Sequence, residues 1–192
     1  MKGRESGMPE EIYWNTFFNT EVALNALMGD LPILGDLIEF GCGYGTFTLP
    51  AAKRVHGIVT ATDIDPEMIN FTASKSLEMG IENIKVELRD ITSDGTGLPD
   101  ISQSHAMIYN LLHLEEPISL LKEAFRILRP GGSLSVMHWR SDIETPRGPS
   151  LDIRPKPEQC IRWIREVGFI EIQTVDLTKS CPFHFGLRAS RN

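Results

Sequence analysis

The sequence contains little cysteine and no hydrophobic run long enough to cross a membrane. Its three cysteines, Cys42, Cys160 and Cys181, lie far apart among 192 residues, and no two have the spacing of a metal or redox pair. A membrane-spanning helix would need about 18 or more consecutive apolar residues. Residues 1–11 also lack the apolar segment of a signal peptide. We therefore expect no metal site, no membrane partner and a reducing, cytoplasmic location.

Positive charge is also scarce in this sequence. There are 19 Lys and Arg residues against 26 Asp and Glu, for a formal net charge of −7. Binding to duplex nucleic acid requires a cationic surface, and the nearest thing to a local basic patch is the segment of residues 140–156. We expect no duplex nucleic acid partner, and a monomer or homodimer that acts on a small molecule.

Length and hydrophobic pattern predict a single α/β domain over residues 1–192. After Pro32, short apolar runs alternate with amphipathic segments, which is typical of βαβ units and a mainly parallel sheet. The predicted strands are residues 36–40, 57–62, 84–88, 105–109, 133–138, 169–177 and 182–189. The predicted helices after Pro32 are residues 46–55, 66–79, 118–128 and 158–167. Only a short link separates the last two strands, so we expect a Rossmann-like doubly wound seven-stranded sheet with an antiparallel last strand.

The segment before this sheet is helical and aromatic. Residues 1–7 are polar and are expected to be disordered, whereas residues 9–28 predict one helix or two short ones, ending at Gly29. The segment carries four clustered aromatic residues: Tyr13, Trp14, Phe17 and Phe18. Aromatic residues on helices are often only core, but the predicted sheet is complete without this segment. We therefore predict that residues 1–30 form a helical lid on a core of residues 36–192.

A glycine-rich turn after the first predicted strand is the main functional signal. In Glu39-Phe-Gly41-Cys-Gly43-Tyr-Gly45, the glycines allow a tight turn and a close approach of the backbone to a ligand. Asp63 ends the second predicted strand, where an acid accepts hydrogen bonds from the two hydroxyls of an adenosine ribose. The pair of motifs predicts an adenosine ligand, and tight packing at the glycines is the alternative.

Two details distinguish between the possible adenosine ligands. The dinucleotide fingerprint is Gly-x-Gly-x-x-Gly, but Thr46 stands where its third glycine would be. Glu39 lies two residues before the turn, where a carboxylate suits an amine better than a pyrophosphate. A nicotinamide (NAD)-dependent oxidoreductase is therefore disfavoured, and the sequence also has no Tyr-x-x-x-Lys pair.

Four motifs in this order resemble the class I S-adenosylmethionine-dependent methyltransferases, in particular small-molecule enzymes of the type 11 kind. The motifs are the Glu-x-Gly-x-Gly-x-Gly turn, Asp63, Arg89-Asp90-Ile91 and the Leu128-Arg-Pro-Gly-Gly132 segment, within residues 36–138. This stretch is about half of the chain. The resemblance implies S-adenosylmethionine as cofactor and methyl transfer to a small-molecule acceptor. A catalytically silent member of the fold that binds the cofactor for regulation remains an alternative.

The resemblance implies which residues hold the methionine end of the cofactor. Gly41 and Gly43 would pack under the methionine part, with Cys42 between them as a small space-filling residue. Glu39 would face the ammonium group. Asn110, just past the fourth strand, would lie near the transferred methyl, although capping of the next turn is the alternative.

The resemblance also implies which residues hold the adenosine end. Asp63 would bind the ribose, with Ile64 against the adenine. Asp90 would accept a hydrogen bond from the adenine amino group, and Ile91 would lend its backbone N–H. Asp65, before a proline, is interpreted only as a helix cap.

The acceptor should lie outside the carboxyl ends of the strands. His113 and His138 are the candidate catalytic bases, because an imidazole titrates near neutral pH; a solvated His113 and a buried His138 are the alternatives. The predicted acceptor-site residues are all aromatic: Tyr13, Trp14, Phe17, Phe18 and Trp139. Together with the proline-rich loop of residues 141–157, they would cover a small acceptor.

Overall fold

The fold is a single seven-stranded sheet with helices on both faces. The computed structural model describes residues 8–29 and 32–192, so the disorder expected of residues 1–7 lies outside the described residues. The strands are β1 (Leu37–Phe40), β2 (Val59–Asp63), β3 (Ile84–Leu88), β4 (Gln103–Tyr109), β5 (Leu128–Trp139), β6 (Ile170–Val175) and β7 (His184–Ser190). They follow the order β3-β2-β1-β4-β5-β7-β6. Strands β1 to β5 pair in parallel and β7 pairs antiparallel with β5 and β6, which confirms the predicted architecture.

The helices connect these strands in the predicted alternating order. They are α1 (Glu11–Asn15), α2 (Thr20–Met28), α3 (Thr48–Ala52), α4 (Pro66–Glu78), α5 (Ile91–Asp94), α6 (Pro117–Ile127) and α7 (Pro157–Val167), with a 3₁₀ helix at Leu151–Ile153. The N-terminal segment forms two short helices, as one of the sequence interpretations predicted. Asn19 caps the second by accepting from the Val22 N–H at 3.4 Å, and Gly29 ends it with a φ of 91°.

Helix α3 is shorter than predicted and begins farther from the glycine turn. It covers Thr48–Ala52 instead of residues 46–55. The chain leaves the helix because Val55 forms a parallel bridge with Ile33, whose N–H donates to the Arg54 carbonyl at 2.9 Å. A residue committed to strand pairing cannot continue the helix.

Strand β5 is longer than predicted. It covers Leu128–Trp139 instead of residues 133–138, so the Pro-Gly-Gly segment belongs to the strand and is not a turn before it. Gly131 has a φ of 75°, and its N–H donates to the Arg191 carbonyl at 2.8 Å. The Arg191 N–H returns a bond to the Gly132 carbonyl at 2.8 Å. These contacts with the C-terminal segment keep the irregular stretch attached to the sheet.

Helix α2 belongs to the hydrophobic core, and the prediction that residues 1–30 only cover a finished core is wrong for it. Leu24 and Leu27 are fully buried in a cluster with Leu37 of β1 and Met107 of β4. Helix α2 thus covers one face of the sheet, while a second cluster fills the opposite face beneath α6 and α7. Helix α1 has no buried residue. Only the part of the N-terminal segment before α2 remains a candidate lid.

No helix among the described residues is both long and apolar enough to cross a membrane.

Candidate functional site

A cavity of about 1070 Å³ opens at the carboxyl ends of the parallel strands. This is the edge of an open α/β sheet at which ligands bind. Of the residues predicted from the sequence, it is lined by Trp14, Glu39, Gly41, Cys42, Gly43, Asp63, Ile64, Asp90, Ile91, Asn110, His113 and Trp139. The structure therefore brings all nine predicted cofactor residues to one cavity, with one of the two histidines and two of the five aromatic residues.

The glycine turn has no room for side chains. Gly41 and Gly43 have φ values of 72° and 53°, in the left-handed region that glycine adopts most readily. A Cβ on Gly41 would lie 3.2 Å from Leu111 Cδ1, and a Cβ on Gly43 would lie 3.1 Å from Met8 Cε. The Gly43 N–H donates to Asp63 Oδ2 at 2.8 Å. The turn is therefore tied to the end of β2.

Cys42 occupies the centre of this turn as a packed thiol. It is buried, and its Sγ lies 3.9 Å from Thr72 Oγ1. Burial, with the nearby charge of Glu39, raises the pKa of the thiol above its ordinary value. The thiolate form is therefore disfavoured, which agrees with a space-filling role.

Asp63 and Asp65 have different hydrogen-bond roles. Asp63 accepts from the Gly43 N–H and, through Oδ1, from the Asp65 N–H at 3.0 Å. Burial raises the pKa of Asp63. Each of its oxygens retains a second lone pair for a ligand hydroxyl. Asp65 Oδ1 accepts from the Glu67 N–H at 2.8 Å and caps α4, which confirms the interpretation of Asp65 as a helix cap.

Glu39 is a buried acid at the methionine end of the predicted site. It is 2% exposed, and its Oε2 accepts a hydrogen bond from the Thr48 hydroxyl. The pKa of Glu39 is raised to about 8, mainly by burial and also by the charge of Asp63, although the Thr48 hydrogen bond lowers it. A nearby cation would stabilise the ionised form. The position therefore suits a ligand ammonium.

The predicted adenine-binding residues lie at the start of α5. Asp90 caps this helix by accepting through Oδ1 from the Thr92 N–H at 3.0 Å and the Thr92 hydroxyl at 2.5 Å. These bonds lower the pKa of Asp90. Ile91 opens the helix, and Ile64 is 37% exposed on the same cavity. Asp90 therefore caps α5 and also lines the cavity.

Asn110 is strained and carries an unpartnered polar atom. Its φ is 60°, which is uncommon for a residue with a side chain. Its N–H donates to the Met137 carbonyl at 2.7 Å, but its buried Oδ1 has no hydrogen-bond partner among the described residues. Strain and an orphaned acceptor at a cavity wall are features of ligand-binding positions.

The two candidate bases form a pair. His113 Nδ1 lies 3.2 Å from His138 Nε2, and His138 Nδ1 lies 3.1 Å from the Trp139 carbonyl oxygen. His113 lines the cavity, whereas His138 is fully buried behind it. Burial lowers the pKa of His113 to about 4 and that of His138 to about 3. Both imidazoles are therefore neutral at neutral pH, instead of titrating near it.

Only some of the predicted aromatic residues line the cavity, and others pack behind them. Trp14 and Trp139 line the cavity, with ring centroids 6.3 Å apart. Phe17 is buried behind them, 5.5 Å from Trp139, and Phe18 packs 6.2 Å from Phe17. Tyr13 is 46% exposed. The structure does not bring Tyr13, Phe17 and Phe18 to the cavity, because α1 and the turn after it turn only Trp14 inward.

The loop after β5, which the sequence analysis expected to help cover the acceptor, supplies one wall of the cavity. Arg147, Gly148 and Pro149 line the cavity. The buried Arg154 guanidinium donates through Nε to the Pro149 carbonyl at 2.7 Å. It also donates to the carbonyls of Arg140 and Arg147 at 2.8 and 3.2 Å. An isolated arginine in a proline-rich loop carries no sequence signal for this role.

The N-terminal segment is bonded to the glycine turn, which the sequence also did not indicate. The Tyr44 hydroxyl donates to the Pro9 carbonyl at 2.8 Å, and the Thr46 hydroxyl donates to Asn15 Oδ1 at 3.1 Å. Met8 lines the cavity. The segment before α2 therefore contacts the cofactor end of the cavity as well as its aromatic end.

Comparison with known sequences points to one family. A sequence model described as a methyltransferase domain matches residues 37–132, half of the chain. The aklanonic acid methyltransferase DauC of Streptomyces sp. strain C5 is 31% identical over 108 residues, which are 54% of this chain and 48% of that protein. The ubiquinone biosynthesis O-methyltransferase of Xanthomonas oryzae is 29% identical over 100 residues, 51% of this chain and 40% of that protein. The aligned parts thus span about half or less of these relatives.

Comparison with solved structures shows the same fold over almost the whole chain. A SAM dependent methyltransferase from Aquifex aeolicus aligns with a TM-score of 0.76 at 22% identity, covering 98% of this chain and 96% of that one. Geranyl diphosphate methyltransferase in complex with SAM aligns with a TM-score of 0.74 at 15% identity, covering 99% and 95%. Similarity at these identities establishes a shared fold.

Proposed function

Because the chain belongs to the class I methyltransferase family, we propose that it transfers a methyl group from S-adenosylmethionine to a small-molecule acceptor. One observation carries the proposal: a single cavity joins a glycine turn, flanked by the carboxylates of Glu39 and Asp63, to a wall of histidine and tryptophan. The cofactor supplies an electrophilic methyl group on a sulfonium. The residues around it would hold it, orient the acceptor and exclude water.

The methionine end of the cofactor matches the polar groups around the glycine turn. Gly41 and Gly43 line the cavity without side chains of their own, and Glu39 offers a buried carboxylate to an ammonium. Asn110 offers an otherwise unpartnered Oδ1. These groups are hydrogen-bond acceptors, which suits the cationic end of an amino acid.

The adenosine end matches the residues after β2 and β3. Asp63 would accept from the ribose hydroxyls through the lone pairs left free by its two backbone bonds. Ile64 would pack on the adenine, and Asp90 with Ile91 would bind its polar edge. In this proposal the carboxylate of Asp63 has two roles, because it also accepts a hydrogen bond from the Gly43 N–H of the glycine turn.

The rival binding of NAD is disfavoured by the same groups. A pyrophosphate at the turn would repel the carboxylate of Asp63, and it would disfavour the ionised form of Glu39 that a ligand ammonium would stabilise. Helix α3 begins only at Thr48 and has five residues, so it places no long helix dipole beside Gly43.

The other alternative is a catalytically silent member of the fold, which would bind the cofactor for regulation but would transfer no methyl group.

Thermal unfolding with each ligand tests the proposal. S-adenosylhomocysteine should raise the Tm by an amount that grows with its concentration, while NAD leaves the Tm unchanged, because only a ligand of the native state stabilises it. A panel of small hydroxyl, amine and thiol acceptors is then assayed for S-adenosylhomocysteine release. Equal stabilisation by NAD would contradict the cofactor, and stabilisation without any turnover across the panel would favour the silent binder.

Proton release on binding should report on Glu39. Its pKa of about 8 means that the carboxyl is mostly protonated at pH 7, and a ligand ammonium should lower that pKa. Binding of S-adenosylhomocysteine at pH 7 should therefore release up to about one proton. The release should vanish well above pH 8, and the affinity should rise as the pH approaches that value.

Calorimetry in two buffers with different ionisation enthalpies measures this proton. Glu39→Gln should abolish the release, whereas Glu116→Gln, an exposed acid on the same cavity, should keep it. Since the folded-state pKa of Glu39 is raised from its ordinary value of 4.5 to about 8, its contribution to stability is lost progressively as the pH rises between these two values. Glu39→Gln should escape that loss, and unchanged proton release in this variant would contradict the role of Glu39.

A further inference from the structure

We propose that His113 is the base that removes a proton from the acceptor, and that His138 is the positioning residue that holds His113 in the productive tautomer. The inference rests on the proposed function. It also assigns the acceptor a class: a hydroxyl group on an aromatic or otherwise apolar body. A hydroxyl binds its proton tightly, so a neighbouring base assists its attack.

The tautomers follow from the hydrogen bonds of the pair. A carbonyl oxygen only accepts, so the 3.1 Å contact with the Trp139 carbonyl requires a proton on His138 Nδ1. A neutral His138 then has a lone pair on Nε2. The 3.2 Å contact from that atom to His113 Nδ1 requires the proton to be on His113. The remaining lone pair of a neutral His113 is therefore on Nε2, on the ring edge away from His138.

The positions of the two rings separate their roles. His113 lines the cavity, whereas His138 is fully buried and lies outside its wall. Only His113 can meet an acceptor. His138 acts through it, in the way that a histidine base is oriented by a group bonded to its other nitrogen.

The charges around the pair favour a neutral base. Two other charged or titratable groups lie near the pair, His184 from β7 and Arg154 from the loop after β5, and a hydrogen bond with the Asn110 backbone raises the pKa of His113. The Arg154 guanidinium lies 5.9 Å from the Trp139 ring and lowers the pKa of both His113 and His138. Burial has the larger effect in the same direction.

The proton and electrons of the step balance as follows. The acceptor O–H bond breaks and its proton moves to His113 Nε2. The oxygen's electron pair forms the bond to the methyl carbon, and the electron pair of the methyl–sulfur bond stays on sulfur. His113, now an imidazolium, keeps its hydrogen bond to His138 and loses the extra proton to solvent when the products leave.

The other residues that line the cavity indicate the chemical character of the rest of the acceptor. Trp14, Phe47, Tyr109 and Trp139 line the cavity, and Leu111 and Leu114 add aliphatic surface. Aromatic walls stack best on a flat apolar ligand. His113 lines the same cavity and would supply the imidazole that accepts the proton of a hydroxyl on such a ligand.

The tautomer is measured without any acceptor. In protein labelled with ¹⁵N-histidine at neutral pH, we expect a protonated Nδ1 and an unprotonated Nε2 on His113. His138→Gln offers an oxygen near the position of Nε2 and should preserve this tautomer, whereas His138→Leu should lose it. A protonated Nε2 on His113 of the unsubstituted protein would overturn the proposal.

Turnover on a hydroxyl acceptor found in the panel tests the chemistry. His113→Gln should lower kcat by about 100-fold or more while the Kd for S-adenosylhomocysteine stays within about twofold. His138→Leu should lower kcat, and His138→Gln should restore most of it. His56→Gln, at an exposed histidine, is the matched control and should change neither quantity.

The outcomes separate this inference from the proposed function. Unchanged kcat in His113→Gln would refute the base and leave methyl transfer standing. Turnover of thiols or carbon acceptors alone would refute the acceptor class. If no acceptor is methylated, the proposed function fails and the base assignment fails with it.

Discussion

Leu24→Ala should lower the free energy of unfolding by about 2–5 kcal/mol, the range for removing a fully buried leucine side chain. Leu24 is fully buried between α2 and the sheet, in the cluster that contains Leu37 and Met107. Urea denaturation measures the loss. Val22→Ala, on the 44% exposed face of the same helix, is the control and should change stability by less than about 0.5 kcal/mol. Equal, small losses at both positions would mean that α2 is a detachable cover.

This result decides how a lid can be tested. Removing residues 1–28 would expose the sheet face that α2 covers, so we expect that truncation to unfold the protein. A shorter truncation that ends before Asn19 retains α2 and its cap. It removes the contacts of Pro9 and Asn15 with the glycine turn together with Trp14, and is the proper test of a cover.

Asp63→Ala should weaken S-adenosylhomocysteine binding by about tenfold to a hundredfold, or about 1.5–3 kcal/mol, the range for hydrogen bonds to a charged group. The carboxylate would bind the ribose and also accepts from the Gly43 N–H, so its loss affects both the ligand and the turn. Asp63→Asn keeps an oxygen for the turn and should cost less. Titration calorimetry gives the Kd of each variant.

The matched control is Asp65→Ala at the neighbouring carboxylate. It removes the cap of α4 and should cost about 0.5–2 kcal/mol of stability, with little change in the Kd. If Asp65→Ala weakened binding more than Asp63→Ala, the ribose would be held by the other carboxylate.

The cofactor end of the site was predictable because each part of it is local in the sequence. The glycine turn follows β1 directly and Asp63 ends β2, and β1 and β2 are hydrogen-bonded neighbours. Once the pattern predicts parallel strands, their carboxyl ends must lie together. The predicted cofactor residues therefore reached one cavity without knowledge of any long-range contact.

The acceptor end was less predictable because it is assembled from distant segments. Arg154 organises its loop by bonding to backbone carbonyls, which every residue possesses and no pattern distinguishes. Trp14 reaches the cavity while Phe17 and Phe18 do not, since the direction of a five-residue helix depends on what it packs against. The sequence indicated an aromatic cover but not which ring would line the site.

The sequence by itself determined the order of elements, the parallel sheet with its antiparallel last strand, and the glycine turn with its acid. Hydrophobic period, strand spacing and glycine positions are properties of short stretches, so they can be read without the fold. Only the tertiary structure decided that α2 is core, that α3 stops at Ala52, and that His138 stands behind His113. Each of these depends on burial or pairing between segments far apart in the chain. The same burial moves the pKa of His113 to about 4 and keeps its imidazole neutral at neutral pH, which no property of the isolated imidazole would indicate.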